Sequence, residues 1–92
     1  MITVNFFTTL RFFLNTRQIQ FPAAELDIQT LLHLCEERLC KKFLHKLLTP
    51  DDQVMPGTII LINGLNIHHL NGLKTVVTGD DVVALFPPGG GG

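Results

Sequence analysis

The sequence predicts an α+β fold, a mixed β-sheet with a helix packed across one face. Three observations carry this. Two stretches near the N-terminus alternate apolar and polar residues, a central segment repeats apolar residues at helical spacing, and two apolar runs in the C-terminal half are bounded by turn residues. At 92 residues and 46% apolar composition the chain suffices for one domain with one core, and nothing in it suggests a second.

Ile2-Thr3-Val4-Asn5-Phe6-Phe7 places Ile2, Val4 and Phe6 on one face of a strand and turns Phe7 the other way,. Arg17-Gln18-Ile19-Gln20-Phe21 alternates again after a turn around Asn15-Thr16 and stops at Pro22. The chain is therefore expected to open with two antiparallel strands. Asp27 is a candidate N-cap, and Ile28, Leu31, Leu32, Cys35 and Leu39 follow on one face of an α-helix,. Each aliphatic buried there contributes roughly 1.5–3 kcal/mol gross, enough to close the core over the sheet.

A shorter helical stretch with Phe43, Leu44, Leu47 and Leu48 ends before Pro50. Thr49 to Gly57 reads as a loop,. Thr58-Ile59-Ile60-Leu61-Ile62 is continuously apolar, which suits a central strand buried on both faces,. Asn63-Gly64 is a turn, Leu65-Asn66-Ile67 a short strand, and Gly79-Asp80-Asp81 turns the chain into a last strand, Val82-Val83-Ala84-Leu85-Phe86,. That order describes a β-grasp roll in which the first and last strands are parallel neighbours.

Seven basic and eight acidic residues give a net charge of −1, and without a basic stripe nucleic acid is not an expected partner. No apolar run approaches the roughly 18 residues of a membrane span, and no basic flank or cleavage site marks a signal peptide. A cytoplasmic protein without membrane association or disulfides is expected. Charged residues make up only 16% of the chain, which leaves apolar surface for a protein partner to cover.

The chain ends in Pro87-Pro88-Gly89-Gly90-Gly91-Gly92. Glycine passes where a Cβ would collide, and the prolines hold the start of the tail extended. Stretched out, the six residues reach roughly 20 Å, far enough to place Gly92 inside a partner's active site. A flexible linker or tag remnant would read the same from the tail alone. The chain divides into a domain over residues 1–86 and a flexible tail over 87–92.

Ile62-Asn63-Gly64, Leu70-Asn71-Gly72-Leu73-Lys74-Thr75, Gly79-Asp80-Asp81-Val82-Val83 and Phe86-Pro87-Pro88 ending at Gly91-Gly92 together resemble the MoaD/ThiS family of ubiquitin-like sulfur carriers. The likeness is nearest to MoaD, the small-subunit branch of molybdopterin synthase. It spans the whole chain, including Phe6-Phe7 and Arg11. Gly89 and Gly90, and the long segment from Cys40 to Gly57, depart from the family's pattern.

The resemblance implies that Gly92 is the working residue. Its carboxylate would be adenylated by a ubiquitin-activating-type enzyme using ATP and Mg²⁺, then converted to a thiocarboxylate with sulfur from a donor. A carboxylate is ionised at neutral pH and a poor electrophile, so a phosphate leaving group is needed before sulfur can enter. A MoaE-like large subunit of molybdopterin synthase would then receive the tail and direct sulfur onto a cyclic pyranopterin, building the dithiolene that holds molybdenum or tungsten. The chain itself would be non-catalytic and hold no stable cofactor.

Gly89, Gly90, Gly91, Pro87 and Pro88 would thread the partner, with Phe86 and Phe7 beside them. If Val83 and Leu85 face the helix, Val82, Ala84 and Phe86 face outward next to Phe7. Phe86 is then an interface anchor or part of a second small cluster. Arg11 assists docking or is a solvated turn charge.

Cys35 and Cys40, about 140° apart around a helix, are badly placed to share a metal and read as buried thiols. The four histidines lack a further ligand at usable spacing, so no metal site is expected. Alternatives are a ThiS-like carrier for thiamine or another product, a ubiquitin-like modifier joined to lysine through Gly92, and a plain interaction module indifferent to loss of Gly91-Gly92.

Overall fold

The computed structural model describes residues 1–22 and 24–89. The alternating N-terminal stretches form β1 (Ile2–Phe6) and β2 (Gln18–Phe21), joined by a helix, α1 (Thr8–Leu14). A short β3 (Leu26–Asp27) leads into α2 (Ile28–Leu39), followed by β4 (Ile59–Ile62), β5 (Leu65–Asn66), β6 (Val76–Val77) and β7 (Val82–Phe86).

The main sheet runs β2-β1-β7-β4-β5, and β3 pairs with β6 in a separate ribbon. β1 and β7 are parallel at its centre, with Val4 opposite Val83 and Phe6 opposite Leu85. The other pairings are antiparallel. This is the expected ubiquitin-like β-grasp.

The period-2 pattern sends Ile2, Val4, Phe6, Ile60, Ile62, Val83 and Leu85 inward, where they meet Ile28, Leu31, Leu32 and Cys35 of α2. Asp27 caps α2 by accepting the Thr30 N–H at 2.8 Å. This holds its carboxyl below the ordinary value,. Asn63 and Gly64, with φ of 49° and 86°, make the β4–β5 hairpin turn that Asn-Gly favours.

The Asn63 side chain donates to Asp81 and accepts the Val82 N–H, each at 2.9 Å. The two turn motifs thus meet and fix the start of β7.

Four expectations are corrected. Thr8–Leu14 is helical rather than part of a simple hairpin. Leu10 and Leu14 bury one face of it, and Asn15 stops it in the left-handed region with its N–H on Arg11 and Phe12 carbonyls,.

The helical stretch after α2 is only a 3₁₀ turn, Leu44–Lys46, begun where the Glu36 carboxylate accepts the Phe43 and Leu44 N–H groups. β4 is buried on one face alone: Ile59 is 42% exposed and Leu61 half-buried, because α2 covers only the other side. Ile67 leaves the short strand for a 3₁₀ turn.

The segment from Cys40 to Gly57 has a structural role. Phe43 packs edge-on to Phe6 with ring centres 5.8 Å apart, and Leu47 and Leu48 complete the core. The buried Thr58 hydroxyl donates to the Leu47 carbonyl at 2.9 Å. This closes the core at the end of the sheet where β7 stops.

Candidate functional site

The site is the root of the tail, built by the ends of β1 and β7 and the loop before β4. Inward packing of Val83 and Leu85 forces Phe86 onto the outer face, opposite Ile59 in register,. Phe7, one residue beyond β1, donates its N–H to the Leu85 carbonyl at 3.1 Å. Its ring stacks on Phe86 with centres 4.5 Å apart and planes 9° from parallel. Both rings are half-buried, and with Ile59, Leu61, Val82 and Ala84 they make an apolar outer face leading to the tail.

Pro87 is buried and Pro88 half-buried. Pro88 rests on Gly57, where an added Cβ would lie 2.8 Å from the Pro88 Cβ and 3.4 Å from its Cα. Gly57 also has φ of +91°, a conformation that L side chains rarely adopt. Gly57 therefore shapes the tail's exit, a role the sequence signalled only as the end of a loop.

Thr8, directly after Phe7, has φ of 53°. A β-branched residue there is held in place by its surroundings at a cost of roughly 1–3 kcal/mol.

Arg11 lies on α1, half-buried, with its guanidinium carbon 5.2 Å from the ring centre of Phe12, itself 74% exposed. Phe7, Phe86, Pro87 and Pro88 are brought together, whereas the neighbours of Arg11 are Phe12, Asn15, Thr16 and Arg17. Gly89 ends the described part of the tail. Gly90, Gly91 and Gly92, and with them the terminal carboxylate, lie outside the described residues.

Cys35 is buried, and desolvation pushes its thiol up to about 12, so it stays protonated and inert. Cys40 is not the buried thiol expected. It is exposed and closes α2 in the left-handed region, with φ of 52°. Among the described residues no group of three His, Cys, Asp or Glu side chains is placed to hold a metal ion, and no helix is long and apolar enough to cross a membrane.

A β-grasp domain whose last strand leads into a Pro-Pro-Gly-Gly-Gly-Gly terminus, with an apolar sheet face beside it, defines the class of ubiquitin-like carriers. The chain belongs to the ThiS family, matching it over residues 4–92.

It is 30% identical over 79 residues to an Archaeoglobus fulgidus protein assigned as a sulfur carrier, covering 86% of this chain and 89% of that one. The solution structure of small archaeal modifier protein 1 from Methanosarcina acetivorans superimposes with a TM-score of 0.78 at 26% identity, over 99% of this chain and 95% of that one. CysO, from the Amycolatopsis orientalis BexX/CysO complex, matches in fold over the full length of both chains, with a TM-score of 0.80 at 18% identity. The family is one of small sulfur carriers and ubiquitin-like modifiers.

Proposed function

We propose that this chain is a sulfur carrier that works as the small subunit of molybdopterin synthase. The observation that carries the reading is the tail root: a Phe7–Phe86 stack and a Pro88–Gly57 contact fix where a glycine-only segment leaves the body. Holding the root removes part of the ordering cost when a partner's channel closes around the glycines.

In this reading the Gly92 carboxylate oxygen attacks the α-phosphorus of Mg²⁺-ATP in an activating enzyme, and pyrophosphate leaves. Sulfide-level sulfur (HS⁻) released by a donor then attacks the acyl carbon, AMP departs and a proton is lost, leaving a thiocarboxylate. A MoaE-like subunit covers the apolar outer face, with Phe86 and Phe7 at the centre of the contact, and Arg11 assists docking on the activating enzyme. On the MoaE-like subunit the thiocarboxylate sulfur attacks a carbon of a cyclic pyranopterin and displaces oxygen from it. Water hydrolyses the resulting thioester so that the carrier leaves with a carboxylate, and a second thiocarboxylated copy supplies the other sulfur of the dithiolene.

The test mixes the thiocarboxylated chain with a MoaE-like subunit and the cyclic pyranopterin. A dithiolene product formed with matching loss of thiocarboxylate supports the assignment, whereas sulfur released only to a thiazole-forming synthase assigns the chain to thiamine synthesis.

Similarity to a small archaeal modifier protein favours a second reading, a modifier joined to lysine through Gly92. Lysine-linked conjugates that vanish when Gly92 is deleted would favour it.

A further inference from the structure

Folding gathers charges that the sequence scatters. Six of the seven basic residues, Arg11, Arg17, Arg38, Lys41, Lys42 and Lys46, come from α1, the turn before β2, the last turn of α2 and the segment after it through the 3₁₀ turn, and these segments are tied together. The Arg38 guanidinium donates to the Gln20 carbonyl at 3.0 Å and lies 4.4 Å from the Phe21 ring centre. Lys41 donates to the Phe13 carbonyl at 2.8 Å. Lys41 and Lys46 stand 4.2 and 4.3 Å from the Phe13 ring centre, and Arg11 stacks on the exposed Phe12.

None of the six makes an ion pair with a described carboxylate; the one ion pair among the described residues joins the Met1 ammonium to Asp80. Rings and carbonyls hold four of these cations in place without neutralising them.

The face begins at the root of the tail. Phe6 donates its N–H to the Arg17 carbonyl, and α1 starts directly after Phe7, the residue stacked on Phe86. We infer that this basic face docks onto an acidic border of the enzyme that adenylates the tail, steering the carrier so that its glycines meet the channel. The inference rests on the sulfur-carrier reading.

Charge complementarity of this kind raises encounter rates and fixes register. An acidic protein surface fits better than RNA. Net charge is −1, Glu36 and Glu37 lie within the face beside Lys41 and Lys42, and the held cations have fixed positions that suit individual carboxylates.

Arg17→Glu combined with Lys42→Glu tests this, because both side chains are exposed and their reversal leaves the ring contacts intact. Thiocarboxylation of the full chain by its adenylating enzyme, with Mg²⁺-ATP and a sulfur source, is measured at low and high salt. The expected result is a KM raised about tenfold at low salt with kcat and Tm unchanged, the gap closing as salt screens the charges.

An unchanged KM with normal conversion of the unsubstituted chain would overturn the docking face and leave sulfur carriage standing. No conversion of the unsubstituted chain by an enzyme active on its own known carrier would remove both. A gel shift of mixed-sequence RNA at physiological salt, lost in the double variant, would also overturn the inference by making the face a nucleic-acid site.

Discussion

At the scale of single residues, the tail's exit depends on Gly57 and the two thiols have opposite fates. Ala at 57 meets Pro88 and adopts an unfavourable φ, so Gly57→Ala should lower stability by roughly 1–3 kcal/mol and slow thiocarboxylation. Adding Pro88→Gly removes the colliding Cβ. The double variant should regain rate but not melting temperature, whereas a rate that stays low would make Gly57 a matter of stability alone.

For the cysteines, alkylation of the native protein near neutral pH should add a single group, at Cys40, and denaturation should expose Cys35 to a second. Modification of both in the native state would contradict the burial of Cys35. Neither feature was legible in the sequence. Gly57 and Pro88 lie far apart along the chain, and both thiols were expected to be buried, whereas the helix ends at Leu39 with Cys40 already outside.

Among the elements, α2 and the strands with clear periodicity were legible because burial on one face imposes spacing directly. Asp27 as N-cap was equally plain, and its consequence is pH-dependent. The folded-state pKa lies below the ordinary value, so the cap's contribution is present above the unfolded pKa near 4 and is lost as pH falls through the lower folded value. Asp27→Ala should cost about 1 kcal/mol at neutral pH, and the difference from the native chain should shrink in acid. A gap in melting temperature that stays constant from neutral pH to strong acid would show that charge is not involved.

The elements that escaped are those whose signal is short or depends on partners. Leu10, Phe13 and Leu14 do carry helical spacing before Asn15, but one buried turn between two alternating stretches is easily taken for a bend. The β3–β6 ribbon has only two residues per strand, and pairing across the fold rather than propensity creates it. The apolar run at β4 suggested two buried faces. Its outer residues, Ile59 and Leu61, instead belong to the surface beside the tail.

Across the whole molecule, topology sets the site. Parallel pairing of β1 with β7 brings Phe7 beside Phe86, and inward packing of the alternate residues turns the outer apolar row toward solvent. That row was legible as far as Phe7 and Phe86, since strand alternation alone assigns their faces; Ile59 and the gathered cations required the fold. Phe86→Glu should weaken binding to the proposed MoaE-like subunit at least tenfold, as for a buried aromatic anchor, while changing the melting temperature little. A large loss of stability with unaltered binding would instead make the stacked pair a part of the core.

Sulfur carriage at Gly92 is tested most directly by the intact mass of the full chain after incubation with its adenylating enzyme, Mg²⁺-ATP and a sulfur source, beside a chain lacking Gly92. A gain equal to replacing one oxygen by sulfur, absent from the shortened chain, is the expected result. An unchanged mass, with an enzyme shown to be active, would contradict it.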